Sequence, residues 1–389
     1  MINHKLTTPE IQDFIAKNLQ LSIHDLILKK QIFEGVSNKE LAEQIVGRNK
    51  AKKKFPFLDK EGILFPPHIS LEQASSQTTA EYKAGLMKGK KLLDLTSGLA
   101  IDAYFLSNRF EEATLVEQNS SLLELVCHNW NIMNKKAVFI NNDLQNILSQ
   151  ISENFDWIYI DPARRDTLNR KKFLLEDLSP NLLEIQDRLL EISENVMVKL
   201  SPIIDLKYLT QNLKQLVEIH IIAVRNEVKE VVCILSKKPK NLVFKCVNLE
   251  STELVFDFEY SETDDIHSEY SYPEKYLYIP NNAVLKSGAF DLVSNRFNIK
   301  KLHPNTHLYT SDMLVENFPG RVLEVNIISN KKEITGQQFN IISKNYPLSP
   351  EEIKKKYRIK DGGSDYVIFT QSKDKKIILS NANLAKNKN

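Results

Sequence analysis

Apolar and polar positions alternate in two textures along this chain. Short apolar runs at 92–95, 114–117, 137–140, 155–160 and 195–200 are separated by stretches of helical spacing such as 99–106, 121–132 and 174–192. Near-continuous apolar runs mark strands buried on both faces, and helices between them predict a doubly wound α/β sheet. Two further runs, 217–224 and 230–235, flank Arg225-Asn226-Glu227-Val228-Lys229 and predict a closing hairpin. Residues 1–66 read as helices, with Ile11, Phe14, Ile15, Leu19, Leu26 and Ile27 at helical spacing. Pro56 and Pro66-Pro67 end that unit.

From Pro239 the texture changes. Helical periods thin out, and β-like runs appear at 242–247, 253–259, 276–279 and 321–328. The acidic stretch 259–265 reads as a loop. Ser349-Pro350-Glu351-Glu352 predicts a capped helix, and 366–370 with 376–379 a strand pair. These breaks predict an N-terminal helical unit with a lid over 1–85 and an α/β domain over 86–238. A β-rich segment over 239–318 and a terminal domain over 319–389 follow.

At 389 residues, more than one core is expected. A net charge of +2 indicates no partner for the whole chain. Its distribution does: Arg321–Asn389 holds fourteen Lys/Arg against seven Asp/Glu, and Arg48–Lys54 holds five Lys/Arg in seven residues. Two such basic runs fit nucleic acid, although a solvated face is the commoner reading. Cys127, Cys233 and Cys246 lack metal-ligand spacing and read as buried thiols in a reducing compartment. No apolar run reaches membrane-spanning length, so a cytoplasmic protein is expected.

The stretch Leu92-Leu93-Asp94-Leu95-Thr96-Ser97-Gly98-Leu99-Ala100 reads as a strand, a tight turn and a helix start, the ligand-binding corner of an open α/β sheet. A dinucleotide site wants glycines and no fixed negative charge there. Here Asp94 closes the strand, and an acidic turn suits a cationic ligand. S-adenosylmethionine carries an ammonium and a sulfonium and no phosphate. Glu117 ends the second strand nineteen residues past Gly98, where a ribose-binding carboxylate belongs; Asp143 ends the third, placed to accept from an adenine amine. The expected cofactor-binding set is Asp94, Thr96, Gly98 and Asp102, then Glu117 with Gln118, then Asn142 with Asp143. Gln73, Ser75 and Ser76 join it from the polar stretch 70–84, which reads equally as a lid or as a capped surface helix.

The fourth strand runs into Asp161-Pro162-Ala163-Arg164-Arg165-Asp166. Asp161 can accept hydrogens from an exocyclic amine, and Pro162 stiffens the loop. Arg164 and Arg165 can clamp a phosphate, or pair with Asp166 or Glu176. Asp161, Pro162 and Arg164 are the expected catalytic residues. No cysteine lies near this loop for covalent pyrimidine chemistry. His303 and His307 have i,i+4 spacing, but Pro304 argues against a helix, so loop histidines or RNA contacts are expected and no metal.

With these residues in view, the chain resembles class I methyltransferases with a C-terminal THUMP-like domain, bacterial RNA methylases loosely akin to the trimethylguanosine-synthase group. The likeness rests on 70–84, Asp94–Asp102, Asp161–Arg165, Leu285–Phe290, His303–Asp312, Phe318–Val322 and Lys360–Tyr366. It implies a Rossmann-like seven-stranded methyltransferase sheet, a ferredoxin-like segment, a THUMP-like end, S-adenosylmethionine as cofactor and structured RNA as substrate. The chain departs from the pattern in two places. Amino-methylating enzymes of this kind carry Asp/Asn-Pro-Pro and an aromatic, where this chain has Ala163-Arg164. Its first motif also lacks two usual glycines. Methylation of a base nitrogen in RNA is the expected function. The alternatives are an RNA-binding or assembly protein with an idle cofactor fold, and a methyltransferase for a protein or small molecule.

Overall fold

The computed structural model describes residues 2–66, 71, 74–164 and 174–382, the Arg164 side chain excepted. Contacts divide the chain into two compact units, Met1–Val217 with Val231–Lys240, and Glu218–Glu230 with Asn241–Asn389.

In the first unit β1 (Lys91–Asp94), β2 (Glu112–Glu117), β3 (Val138–Asn141), β4 (Phe155–Ile160) and β5 (Ser193–Leu200) are parallel, in the order β3-β2-β1-β4-β5. Leu92, Leu93, Ile158, Val196 and Val198 are fully buried, as an apolar run covered on both faces must be. The chain starts at β1 and builds outward to both sides, so a crevice opens beyond the carboxyl ends of β1 and β4. β6 (Leu216–Val224), of the second unit from Glu218 onward, turns through Arg225-Asn226 into β7 (Glu227–Ser236), both turn residues having positive φ, as a two-residue hairpin requires. Residues 231–236 of β7 then pair antiparallel with β5.

The N-terminal helices α1 (Pro9–Lys17), α2 (Ile23–Leu28) and α3 (Asn38–Lys54) pack onto this unit. Ser37 and Glu40 close a capping box at the start of α3. Ala51, Phe55 and Phe65 share one core with Ala100, Ile101 and Trp130. Gly47 permits that approach, since a Cβ there would sit 2.2 Å from the Phe65 Cβ. Asn129 fixes the following segment by donating to the Leu64 carbonyl at 2.8 Å and accepting from the Leu64 amide at 2.9 Å. The sheet's own helices are α4 (Gln77–Leu86), α5 (Ile101–Leu106), α6 (Ser120–Ile132), α7 (Leu144–Gln150), α8 (Leu182–Ile192) and α9 (Leu206–Asn212).

In the second unit β8 (Val243–Leu249) runs parallel to β6, and β9 (Phe256–Glu259) antiparallel to β8. β10 (Tyr276–Pro280), β11 (Lys300–His303), β12 (Thr306–Ser311) and β13 (Gly320–Glu324) form a sheet in the order β11-β12-β10-β13. Helices α10 (Asn282–Ser287) and α11 (Phe290–Phe297) connect β10 to β11. A last sheet, β14-β17-β16-β15, contains β14 (Asn326–Ile327), β15 (Gln338–Ser343), β16 (Lys360–Ser372) and β17 (Lys375–Ser380), with α12 (Pro350–Tyr357) before β16. Leu277, Leu302 and Leu308 of one sheet share a core with Ile368 and Leu379 of the other.

The structure differs from the sequence expectation in several places, among them the acidic stretch 259–265, read as a loop, where Tyr260–Thr263 forms a 3-10 helix. The helix expected over 174–192 begins only at Leu182. Pro180 follows a cis bond from Ser179, Asn181 caps the helix, and Leu178–Ser179 instead pairs with Ala163–Arg164. The histidine segment is not a loop: His303 ends β11, His307 lies in β12, and Pro304-Asn305 is the turn between them. Helices α10 and α11 stand where helical periods looked scarce, because each is no more than eight residues long.

Candidate functional site

Each strand end at the crevice contributes through its own local geometry. After β1 the chain turns so that Asp94 Oδ1 accepts from the Thr96 amide at 3.0 Å. The Thr96 hydroxyl in turn accepts from the Asp161 amide at 2.7 Å. Gly98 and Ala100 both hold left-handed φ, at 51° and 53°, and the Gly98 amide donates to Glu117 Oε2 at 3.0 Å. The other Glu117 oxygen accepts from the Asn119 amide at 2.8 Å, so two backbone donors aim this carboxylate. Asn141 Nδ2 donates to the Glu117 and Gln118 carbonyls and fixes the loop after β2.

These strand ends enclose a cleft of about 580 Å³, lined by Ser75, Asp94, Thr96, Gly98, Asp102, Glu117, Gln118, Asn142, Asp143 and Asp161. All ten are residues the sequence singled out. Ser76 is placed elsewhere: it caps α4, its hydroxyl accepting from the Thr79 amide at 3.2 Å. Pro162 is buried and does not line the cleft. Gln73, the Arg164 side chain, Arg165 and Asp166 lie outside the described residues. Glu176, offered as an arginine partner, accepts from the Tyr208 hydroxyl. Asp143 lines the cleft but also caps α7, accepting from the Asn146 amide at 2.9 Å.

The floor of the cleft holds a charge cluster that the motif reading did not find. Asp102 Oδ2 accepts from the Ser75 hydroxyl and the Tyr159 hydroxyl, each at 2.7 Å. Its carboxylate lies 3.1 Å from Lys83 Nζ and 3.8 Å from Lys199 Nζ. Lys199 also donates to Asp161 Oδ2 at 2.6 Å. Burial alone pushes the Asp102 carboxyl up, but the two ammonium groups and the Tyr159 and Ser75 hydroxyls hold it below the ordinary carboxylate range. Asp94 is opposite in character. Burial, with Asp102, Asp161 and Glu117 nearby, pushes it well above the usual range despite the Thr96 amide. A signal for Lys199 existed in the sequence: it is an ionisable residue inside the apolar run Val196–Leu200, near the carboxyl end of its strand. Lys83 had none, because its burial depends on where α4 docks.

The cleft suits a cationic ligand with hydroxyls and an amine. Its walls supply carboxylate acceptors at three successive strand ends, and the buried Ser97 hydroxyl has no hydrogen-bond partner among the described residues. No group of three or more His, Cys, Asp or Glu able to hold a metal occurs among the described residues. Within them no helix is long and apolar enough to cross a membrane. His303 Nδ1 accepts from the Asn305 amide at 3.0 Å, and His307 stacks on Phe290 with ring centroids 3.4 Å apart.

Residues 45–200 match the family described as conserved hypothetical protein 95. Residues 276–319 match a ferredoxin-like domain, and residues 321–381 a THUMP domain-like family. The chain is similar over 98% of its length, and of the other's, to a candidate methyltransferase of Porphyromonas gingivalis W83, at 29% identity and a TM-score of 0.88. A candidate class I S-adenosylmethionine-dependent methyltransferase of Listeria monocytogenes is 13% identical, with a TM-score of 0.36 over 63% of this chain and 94% of that one. A candidate methyltransferase of Streptococcus mutans, solved with S-adenosylhomocysteine, is 13% identical, with a TM-score of 0.31 over 41% and 96%. At those scores neither bears on function. No curated protein matches the chain.

Proposed function

We propose that this chain, which carries a methyltransferase-family domain followed by ferredoxin-like and THUMP-like domains, is an S-adenosylmethionine-dependent methyltransferase acting on a base nitrogen in RNA. The observation that carries the reading is the convergence of Asp94, Glu117, Asp143 and Asp161, from four successive strand ends, on one cleft. When bound, the cofactor supplies a methyl group already activated on a sulfonium.

The protein then has to orient and to exclude water. Asp94 presents a buried carboxyl to the cationic end, and Glu117, held by two amides, presents acceptors to the ribose. Gln118, Asn142 and Asp143 face the adenine. Asp161, anchored through its own amide to Thr96, would accept a substrate N–H and so turn the nitrogen lone pair toward the group to be transferred. Pro162 keeps that loop stiff. The basic C-terminal sequence and the THUMP-like domain support RNA as the substrate.

One observation favours a second reading. After Asp161-Pro162 the chain has Ala163-Arg164 where the amino-methylating pattern has a proline and a base-stacking aromatic, and Ala163 lines the cleft, which fits an idle cofactor fold that binds RNA. Transfer of label from S-adenosylmethionine into RNA separates the two: the enzyme labels RNA, and the idle fold binds it without labelling.

A further inference from the structure

We infer that Lys199 is the positioning residue of the transfer site, locking the Asp161 carboxylate and referring its aim to the cofactor end of the cleft. The inference rests on the methyltransferase reading and adds a residue that neither the motifs nor the domain matches single out.

Lys199 stands at the carboxyl end of β5, beside β4, and its side chain is 11% exposed. Its ammonium touches two carboxylates that belong to different parts of the cleft. Asp161 Oδ2, on the loop after β4, is 2.6 Å away; Asp102 Oδ2, near the start of α5, is 3.8 Å away. Asp102 is itself fixed from three other directions, by Ser75, Tyr159 and Lys83. It is therefore a rigid reference point, and Lys199 transmits that rigidity to a side chain that is 39% exposed and whose backbone amide is tied to Thr96.

The arrangement has a chemical consequence. With Oδ2 engaged by Lys199, Asp161 offers Oδ1 to a substrate N–H, which selects one rotamer and one approach direction. Lone-pair orientation tolerates little error in an in-line displacement, so a small misplacement is costly in rate. Ground-state cofactor contacts are not made by Lys199 in this scheme. They belong to Asp94, Glu117 and their neighbours. Lys83 is a different case: it is fully buried, pairs with Asp102 and does not line the cleft, so it supports the reference point and not the aim.

The test uses the full chain with Lys199→Met, Lys199→Arg and Lys83→Met, and two readouts. The first is amide hydrogen exchange of the peptide 159–164 with S-adenosylhomocysteine present. Lys199→Met should speed its exchange about tenfold, Lys199→Arg should stay within about twofold of wild type, and peptide 91–95 should be unchanged in both. The second is the rate of methyl transfer from labelled S-adenosylmethionine into RNA of a strain lacking this protein. It should fall about a hundredfold in Lys199→Met, with S-adenosylhomocysteine affinity within about threefold of wild type, and Lys199→Arg should recover most of the loss. Exchange of 159–164 that is the same in Lys199→Met and wild type overturns the inference, whether or not any RNA is labelled. So does a loss of transfer matched by an equal loss of cofactor affinity. An absence of label with wild-type protein counts against the methyltransferase reading alone, and the exchange result still decides the role of Lys199.

Discussion

The Thr96 hydroxyl accepts a hydrogen bond from the Asp161 amide at 2.7 Å, joining the turn after β1 to the loop after β4. Thr96 therefore belongs to both halves of the cleft: its amide donates to Asp94, proposed to meet the cationic end, and its hydroxyl holds the loop of Asp161, proposed to meet the substrate. Thr96→Val keeps the shape and removes the acceptor. It should cost about 1 kcal/mol of stability and slow transfer more than it weakens cofactor binding. Thermal denaturation and calorimetric titration with S-adenosylhomocysteine check the two parts.

Asp94 gives the cleft a pH dependence with a definite sign. Its carboxyl is held well above the ordinary range by burial, so it binds its proton more tightly than a free carboxyl does. A cationic ligand favours the carboxylate, lowers that pKa on binding and expels a proton. S-adenosylmethionine affinity should therefore rise with pH above the ordinary carboxylate range, with proton release visible as a buffer-dependent binding enthalpy. Asp94→Asn should bind more weakly and lose the slope.

The Lys83–Asp102 pair should behave as one buried unit. Lys83→Met removes the nearer of two cations and should cost about 3–5 kcal/mol, as breaking one side of a buried ion pair does. Adding Asp102→Asn should cost much less than a second full loss, because the uncompensated charge is gone. Denaturant unfolding of the two single variants and the double variant measures the coupling.

In the second unit, Glu218 accepts from Lys245 at 3.0 Å and lies 2.9 Å from the buried His220 ring. The His220 hydrogen bond leads the causes that hold its carboxyl down at about 2, below the free value of 4.5. A carboxyl depressed on folding stabilises above its unfolded pKa, and the contribution is lost as pH falls from about 4.5 toward about 2. Glu218→Gln should lower the melting temperature at pH 7 and flatten its fall between pH 5 and pH 3.

How much of this was legible beforehand depends on how local each signal is. Asp94, Glu117 and Asp161 could be read because each ends, or directly follows, an apolar run, and the end of a parallel strand is where the crevice opens. The helix over 174–192 was over-read because leucine spacing continues through Pro180, whose cis bond and capping neighbour Asn181 are backbone events. Ser76 looked like a ligand contact, since a capping serine and a binding serine are the same letter. The Lys83–Asp102–Lys199 cluster comes from α4, α5 and β5, which only the folded sheet brings together. The second unit's β11–β12 hairpin was hidden by Pro304, read as a breaker where it is a turn residue.

The most direct measurement is isotope transfer from labelled S-adenosylmethionine into total RNA from a strain lacking this protein, comparing wild type with Asp161→Ala. The expected result is label in RNA with wild type, at least a hundredfold less with Asp161→Ala, and unchanged S-adenosylhomocysteine affinity. RNA left unlabelled by a wild-type protein that binds the cofactor would contradict the proposed activity.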